Sequence, residues 1–137
     1  MSMFKIFDTA ASGMSAQSLR LNLVASNMAN ADAVSSSIGQ TYRARQPVFQ
    51  AILDQTHPDA PSPGVRMAGV VESQAPLIKE YAPDHPLADK QGYIFRPNVN
   101  LVEEMANMMS ASRSYQSNVE VANTAKQLLL ATLRMGQ

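Results

Sequence analysis

The chain has 137 residues, its 11 acidic and 11 basic side chains leave no net charge, and it contains no cysteine. Because no basic stripe is present, nucleic acid is not an expected partner. The lack of cysteine excludes disulfides, zinc–thiolate sites and cysteine nucleophiles. Aromatic residues make up only 6% of the chain, whereas methionine occurs 9 times. Flexible methionines and many small residues favour helices packed on helices over a deep globular core.

The first residues lack the pattern of a cleavable signal peptide. Lys5 is the only basic residue before Arg20, and Asp8, Thr9 and Ser12 interrupt what would be the apolar region. No apolar run approaches the ~20 residues that a membrane-spanning helix requires. We therefore expect no membrane insertion. We also expect that a protein of this kind acting outside the cytoplasm uses a route other than general secretion.

A helix is predicted from Met3 to about Asn30. Its apolar residues recur at a spacing of seven, which is typical of a helix that packs along another helix. The two neighbouring registers are Phe7, Met14, Leu21 and Met28, and Ala10, Gln17, Val24 and Ala31. Gly13 lies inside this helix, where it costs roughly 1 kcal/mol relative to alanine. Its use is either the close approach of a neighbouring helix or a bend, and both interpretations remain open.

A proline-rich region, residues 35–96, separates this N-terminal part, residues 1–34, from the C-terminal part, residues 97–137. The β-prone runs in the region are Tyr42–Leu53, Gly64–Ser73, Pro76–Tyr81 and Tyr93–Phe95. His57–Gly64 is predicted to be a turn-rich loop, because residues that precede proline are disfavoured in helices. The region is therefore expected to be a small, mostly β or irregular insertion.

Residues 97–137 are predicted to form one long helix that stops near Gly136. Asn100 is a favourable N-cap, and Glu103 three residues later predicts a reciprocal capping box. Glu103 and Glu104 also place negative charge at the positive end of the helix dipole. The apolar registers are Leu101, Met108, Tyr115, Ala122 and Leu129, and Met105, Ser112, Val119, Lys126 and Leu133. A further apolar strip runs beside them through Val102, Met109, Leu130 and Ala131.

The two helices, about 40 Å and roughly 50 Å long, match well enough to pair antiparallel along their heptad faces. The expected fold class is mainly α with a small β-rich insertion, in which the terminal helices form an antiparallel coiled coil. A lone helical hairpin normally has a charged outer face, but these helices carry Ala, Ser, Asn, Gln and Met there. We infer that other copies cover several sides of each helix. The residues assigned to packing between subunits are Phe7, Met14, Leu21, Val24, Met28, Leu101, Met105, Met108, Tyr115, Val119, Leu129 and Leu133.

The sequence contains few residues that could support catalysis. His57 and His85 each precede a proline in a loop, and neither has a nucleophile or an orienting carboxylate at a recognisable spacing. Asp84 and Asp89 flank His85 too loosely for a metal site and are better explained as turn-forming residues. The adjacent pair Glu103–Glu104 points in two directions on a helix. We therefore expect no enzyme activity, no metal and no cofactor.

Three motifs, taken in order along the chain, resemble the rod and hook axial proteins of the bacterial flagellum. The first is Ala11-Ser12-Gly13-Met14 with Gln17, Arg20-Leu21 and Ala25–Asn30. The C-terminal one is Pro97–Asn100 with Glu103-Glu104-Met105, Ser110–Gln116, Asn118-Val119 and Thr124–Lys126. Between them, Tyr81–Asp89 and Gly92-Tyr93 are similar to one branch of the family, the C-type proximal rod proteins. The motif residues singled out are Ser12, Gly13, Gln17, Arg20, Ser26, Asn27, Asn30, Pro97, Asn98, Asn100, Glu104, Arg113, Tyr115, Gln116 and Asn118. One departure is Ala31–Val34, where many relatives carry a Thr and then Gly-Tyr.

The resemblance implies a structural role in the basal body. Members of this family pass through the flagellar type III export apparatus without a cleaved signal and polymerise into a tubular rod that spans the periplasm. Their terminal helices form the inner tube around the export channel, and the insertion lies outside it. The expected partners are further copies, other proximal and distal rod proteins, and the adaptor between the rod and the rotor ring. The rod transmits torque to the hook, so the expected mechanism is mechanical.

Two other function classes make different predictions. A cytoplasmic coiled-coil adaptor or export chaperone would form a stable soluble dimer with a strongly charged outer face, which this sequence lacks. A small enzyme with its site around His85 would require a defined pocket and would lose activity in His85→Ala.

Overall fold

A computed structural model of the chain describes residues 3–52 and 64–136. The elements in this part are α1 (Met3–Ala29), β1 (Arg45–Ile52), β2 (Gly64–Glu72), β3 (Ile78–Tyr81), β4 (Tyr93–Arg96) and α2 (Leu101–Met135). Two long helices thus flank two small antiparallel sheets, β1–β2 and β3–β4. The predicted class, mainly α with a β-rich insertion, is confirmed. The predicted loop His57–Gly64 lies outside the described residues except for Gly64, which opens β2.

Helix α2 has a defined start because Asn100 caps it. The Asn100 side-chain oxygen accepts hydrogen bonds from the backbone N–H groups of Val102 and Glu103 at 3.1 and 3.4 Å. This satisfies two of the N–H groups that have no partner within the helix. Among the described residues, the exposed Glu103 carboxylate makes no return bond to Asn100, so the predicted capping box is only half formed. The helix ends at Met135, directly before Gly136 as predicted.

The helices pack side by side and run in opposite directions. Gly13 of α1 lies against Asn118 of α2, and a β-carbon placed on Gly13 would come within 2.7 Å of the Asn118 amide nitrogen. Nearer the end of α1, Arg20 donates a hydrogen bond to the Asn107 side-chain oxygen at 3.1 Å. The contact that comes later in α1 comes earlier in α2, so the two helices are antiparallel. Of the two interpretations of Gly13, the geometry fits the close approach of a neighbouring helix.

The contact between the helices uses small residues, and this corrects part of the predicted heptad pattern. The buried positions of α2 are Glu104, Ala111 and Ala125, one residue before the predicted positions 105, 112 and 126. One residue corresponds to about 100° of rotation around the helix. Met105, Lys126 and Leu133 are consequently exposed. Close approach through alanine and glycine favours this rotation, because large side chains in the seam would hold the helices apart.

The other predicted registers agree better with the observed burial. Phe7, Met14, Leu21 and Met28 are half-buried in α1, and Ala10, Val24 and Ala31 are buried. In α2, Met108, Ala122 and Leu129 are half-buried, whereas Leu101 and Tyr115 are exposed. The residues from Leu130 to Gly136 are all exposed. The last two turns of α2 therefore receive little cover from their own chain.

The β1–β2 hairpin lies along α1 and is fastened to it at both ends. At one end Ser12 accepts a hydrogen bond from the Val65 N–H at 3.1 Å, and at the other Asn27 bonds to the backbone of Arg45. The distance along α1 from Ser12 to Asn27 is about 22 Å. The span of β1 from Arg45 to Ile52 is about 23 Å. Because the two lengths agree, one hairpin reaches both attachment points, although its pairing shifts register between Val48 and Phe49.

The second sheet closes the insertion against the end of α1. Ser35 forms an isolated bridge with Phe95, with N···O distances of 3.0 and 2.9 Å. Arg96 pairs with Asp32 at 2.7 Å and with Glu80 at 3.4 Å. These contacts tie the segment after α1, where the sequence departs from the axial-protein pattern, to strand β4. Within the described part of the chain, neither helix is both long and apolar enough to cross a membrane.

We predict that Gly13→Leu lowers the helical circular dichroism signal that the isolated chain retains. A leucine side chain at this position would enter the space of Asn118 and force α1 away from α2. Ser18→Leu is the control, because Ser18 is exposed on the same helix and the change also introduces a leucine. Equal spectra for the two variants would contradict the close contact at Gly13.

Candidate functional site

The side chain of Asn27 joins α1 to the insertion. It is 1% exposed, and its oxygen accepts hydrogen bonds from the Tyr42 hydroxyl at 2.8 Å and the Arg45 N–H at 2.9 Å. Its amide nitrogen donates to the Arg45 carbonyl at 2.9 Å. The Asn27 side chain thus pairs with both backbone groups of Arg45, as a neighbouring strand would. This fixes the direction in which β1 leaves the helix.

Glu104 lies beside Asn27 and is the buried ionisable group of the helix pair. It is 7% exposed, and its Oε2 atom has no hydrogen-bond partner among the described residues. Burial raises the pKa of the Glu104 carboxyl and the charge of Glu103 raises it further, whereas a hydrogen bond from Asn27 and the charge of Arg20 lower it. The net shift of the pKa is upward because burial dominates.

A cleft opens where α1, β1 and the start of α2 meet. Its lining residues are Arg20, Val24, Arg45, Gln46, Pro47, Phe49, Glu103, Glu104 and Asn107. Arg20 crosses it to reach Asn107, and Arg45 pairs with Glu72 at 3.6 Å on the strand side. The cleft is a polar surface with both signs of charge.

Asn98 holds the other side of the insertion to the start of α2. Its oxygen accepts a hydrogen bond from the Ala44 N–H at 2.8 Å, and its nitrogen donates to the carbonyls of Ala75 and Ser73 at 2.8 and 3.4 Å. Arg43 donates to the same two carbonyls. The segments before β1, after β2 and before α2 are therefore joined at one point.

Most motif residues of the sequence lie at these junctions. Those in contact with another element are Ser12, Gly13, Arg20, Ser26, Asn27, Asn98, Glu104 and Asn118. Asn30 bonds back to the Ser26 carbonyl at the end of α1, Pro97 is fully buried, and Asn100 caps α2. The Gln17 side-chain oxygen is buried without a partner in the described part.

The remaining motif residues, Arg113, Tyr115 and Gln116, are exposed on α2. Of the residues assigned to packing between subunits, Val24 is buried inside the chain's own fold, at 4% exposure. The half-buried ones are Phe7, Met14, Leu21, Met28, Met108, Val119 and Leu129, and the exposed ones are Leu101, Met105, Tyr115 and Leu133. Their role between subunits stays a prediction.

Sequence reasoning missed three partners at the junctions: Tyr42, Arg43 and Asn107. The sequence predicts only that Tyr42 and Arg43 belong to a β-prone run, and nothing local marks a tyrosine as the partner of an asparagine 15 positions earlier. Asn107 follows the N-terminus of α2 by two turns on the face that carries Glu104. Asn107 could be identified as a contact residue only if the register of α1 against α2 were known.

The groups around His85 are turn-forming, as the sequence predicted. The His85 Nδ1 atom accepts a hydrogen bond from the Leu87 N–H at 3.1 Å. Asp89 accepts from the N–H groups of Gln91 and Tyr93 at 2.8 and 2.9 Å, and the Tyr93 bond in particular lowers the pKa of Asp89. Within the described residues no acidic, histidine or cysteine cluster could hold a metal ion. His57 lies outside that part of the chain.

Comparisons with known proteins agree with this arrangement of motifs. A family model described as the flagella basal body rod protein matches residues 7–35, and one described as the flagellar basal body rod FlgEFG protein C-terminal matches residues 90–135. The flagellar basal-body rod proteins FlgC of Escherichia coli O6:H1 and Salmonella typhimurium are 55% and 53% identical over 137 residues, with both chains covered completely. The chain belongs to the FlgC family of flagellar basal-body rod proteins.

The family relationship includes the insertion as well as the helices. FlgC of Borreliella burgdorferi is 34% identical over 151 residues, which cover all of this chain and 99% of that protein. The axial-protein resemblance of the sequence is therefore confirmed, and so is its proximity to the FlgC branch. Membership of this family also agrees with the expectation of a structural protein rather than an enzyme.

We predict that Glu104→Gln raises the helical circular dichroism signal of the dilute chain at about pH 7 and leaves it unchanged at about pH 3. Because its folded pKa is raised, folded Glu104 holds its proton at pH values where the unfolded chain has lost it. Its contribution to stability is therefore largest below the ordinary glutamate pKa and falls as pH rises. The neutral variant avoids this loss.

Glu120→Gln is the control for this experiment, because Glu120 is exposed on the same helix. A lower signal for Glu104→Gln at neutral pH would show that the charged carboxylate stabilises the isolated chain.

Proposed function

We propose that the chain is a structural subunit of the basal-body rod, in which the terminal helices pair as a coiled coil and assemble into a helical tube. The assignment to the rod rests on the 55% and 53% identity with FlgC proteins over the full length of both chains. In this proposal the helices surround the export channel, the insertion lies outside them, and the tube crosses the periplasm and transmits torque. The chain would reach this location through the flagellar type III export apparatus.

The proposed assembly is supported by apolar side chains that the chain leaves uncovered. On α2, Val102, Met109 and Met135 are 76, 60 and 81% exposed, and Leu128 and Leu133 are 56 and 61% exposed. Val102 and Met109, and likewise Leu128 and Met135, are seven residues apart, so each pair lies on one face of α2. Exposed apolar side chains that line one face are typical of a surface that another protein covers. Further copies and the neighbouring proximal and distal rod proteins are the proposed occupants, together with the adaptor at the rotor ring.

Small residues suit the mechanical role. Gly13, Ala111 and Ala125 let α1 and α2 approach closely, and closely packed interiors resist compression. A shaft that transmits torque requires this resistance. The alternative, a cytoplasmic coiled-coil adaptor, is not favoured, because such proteins depend on a charged outer face that these helices lack. Neither nucleic acid nor a membrane is proposed as a partner.

We predict that the terminal helices are largely unfolded or frayed in the dilute monomer. The contacts within one chain are too few to offset the conformational entropy of ordering helices of 27 and 35 residues. Circular dichroism of dilute protein should therefore give far less helix than these lengths imply. A full helical signal with a cooperative thermal transition would contradict the prediction.

We predict that Tyr115→Asp blocks incorporation into the rod while export continues. The ring is 38% exposed, and an aspartate in its place would bring a charge into the contact with a neighbour. Basal bodies would be isolated and probed for the chain, and the culture medium would be probed for secreted chain. Asn123→Asp, at another exposed position of α2, is the control. Normal motility of Tyr115→Asp would overturn the assignment of Tyr115 to packing.

A further inference from the structure

Two enclosed side-chain oxygen atoms on the helices have no hydrogen-bond partner. They are Oε1 of Gln17 on α1 and Oε2 of Glu104 on α2, and no donor reaches either from residues 3–52 or 64–136. When the helices pair, each oxygen gives up its hydrogen bonds to water without compensation from this part of the chain. An enclosed polar atom in this state shifts the equilibrium towards the unfolded chain about fivefold or more.

Gln17 lies on the face of α1 that meets α2. It follows Gly13 by four residues and precedes Arg20 by three, and these two residues contact Asn118 and Asn107 of α2. These spacings place Gln17 on the same face of the helix. The other members of its heptad register are small or apolar and buried: Ala10, Val24 and Ala31. Gln17 is therefore a polar residue at a position where the pattern favours an apolar one.

Glu104 holds the corresponding position on α2. The buried residues of this helix are Glu104, Ala111 and Ala125, which are separated by multiples of seven. Glu104 is thus the polar member of a buried register, as Gln17 is on α1. Burial raises the pKa of the Glu104 carboxyl, which agrees with an enclosed group that is short of donors.

The two polar positions act at different points of the helix pair. Asn27, which lies beside Glu104, follows Gln17 by ten residues, or about 15 Å along α1. Their effects on the folding equilibrium are therefore expected to multiply. Within one chain, the small residues between the helices bury little apolar area to offset these effects. Neighbours that cover the exposed apolar side chains of α2 would supply the missing stability.

We propose that Gln17 and Glu104 prevent α1 and α2 from pairing stably in the isolated chain, so that the helices pair only when neighbouring subunits cover them. This inference rests on the proposed function, because the unpaired chain is the form suited to passage through the export apparatus. Apolar residues at both positions would give a more stable helical hairpin that folds before export. Polar residues between packed helices are known to lower stability in this way while they specify the pairing.

Circular dichroism of the dilute chain at about pH 7 tests the effect on folding. Gln17→Met and Glu104→Met each introduce an apolar side chain of similar length and helix propensity. We expect each change to raise the ratio of folded to unfolded chain at least about fivefold, and the double variant at least about 25-fold. Gln127→Met and Glu120→Met, at exposed positions of α2, make the same exchanges and should leave the ratio within about twofold.

Export tests the use of this effect. The secreted and incorporated chain is measured relative to the chain that stays in the cells. We expect this fraction to be at least about threefold lower for the double variant of Gln17 and Glu104, because only the unpaired population is competent for export. The double variant of Gln127 and Glu120 is the control and should be exported like the unmodified chain.

The outcomes separate the two proposals. If Gln17→Met and Glu104→Met give no more helix than the controls, or more helix with undiminished export, the inference is wrong and the rod function stands. If the unmodified chain is absent from basal bodies, the proposed function fails. Circular dichroism still decides in that case whether the two residues oppose pairing of the helices.

Discussion

The fold depends on how closely α1 approaches α2. Gly13, Ala111 and Ala125 keep the space between the helices narrow, and this brings Asn27 and Glu104 into contact where the insertion begins. The hydrogen bonds of Asn27 then direct β1 along α1. With larger residues in the seam, the helices would separate and the hairpin would lose its attachment at Asn27.

The same close approach explains why so much apolar surface remains uncovered. A seam made of small residues buries little area, and most large apolar residues of both helices are only half-buried or are exposed. Phe4, Met109 and Leu133 are each at least 60% exposed. Burial of apolar area is the main favourable term in folding, so a chain that postpones it until assembly gains most of its stability from neighbours. The composition of the helices therefore fits a protein that acts as one subunit of a larger assembly.

The distribution of ionisable groups is also incomplete within the single chain. The helices carry few ionisable groups, and Glu104 is buried although the isolated chain has no donor for its Oε2 atom among the described residues. Elsewhere the described ion pairs are exposed and connect the insertion internally or to the end of α1, as Arg96 does with Glu80 and Asp32. Exposed pairs of this kind contribute about 0–1 kcal/mol each, so they orient segments more than they stabilise the fold.

The sequence by itself determined the two helices, the Asn100 cap of α2, the four strands, the turn at Asp89 and the family. These features arise from local propensity, periodicity and motif order, which can be read directly from the sequence. Only the tertiary structure decided which face of each helix meets the other. Heptad counting favoured Met105 and Leu133 because it rewards large apolar residues, whereas the buried positions hold Ala111, Ala125 and a glutamate. The partners of Asn27 and Asn98 likewise depended on the fold, because side-chain hydrogen bonds between distant segments leave no periodic trace.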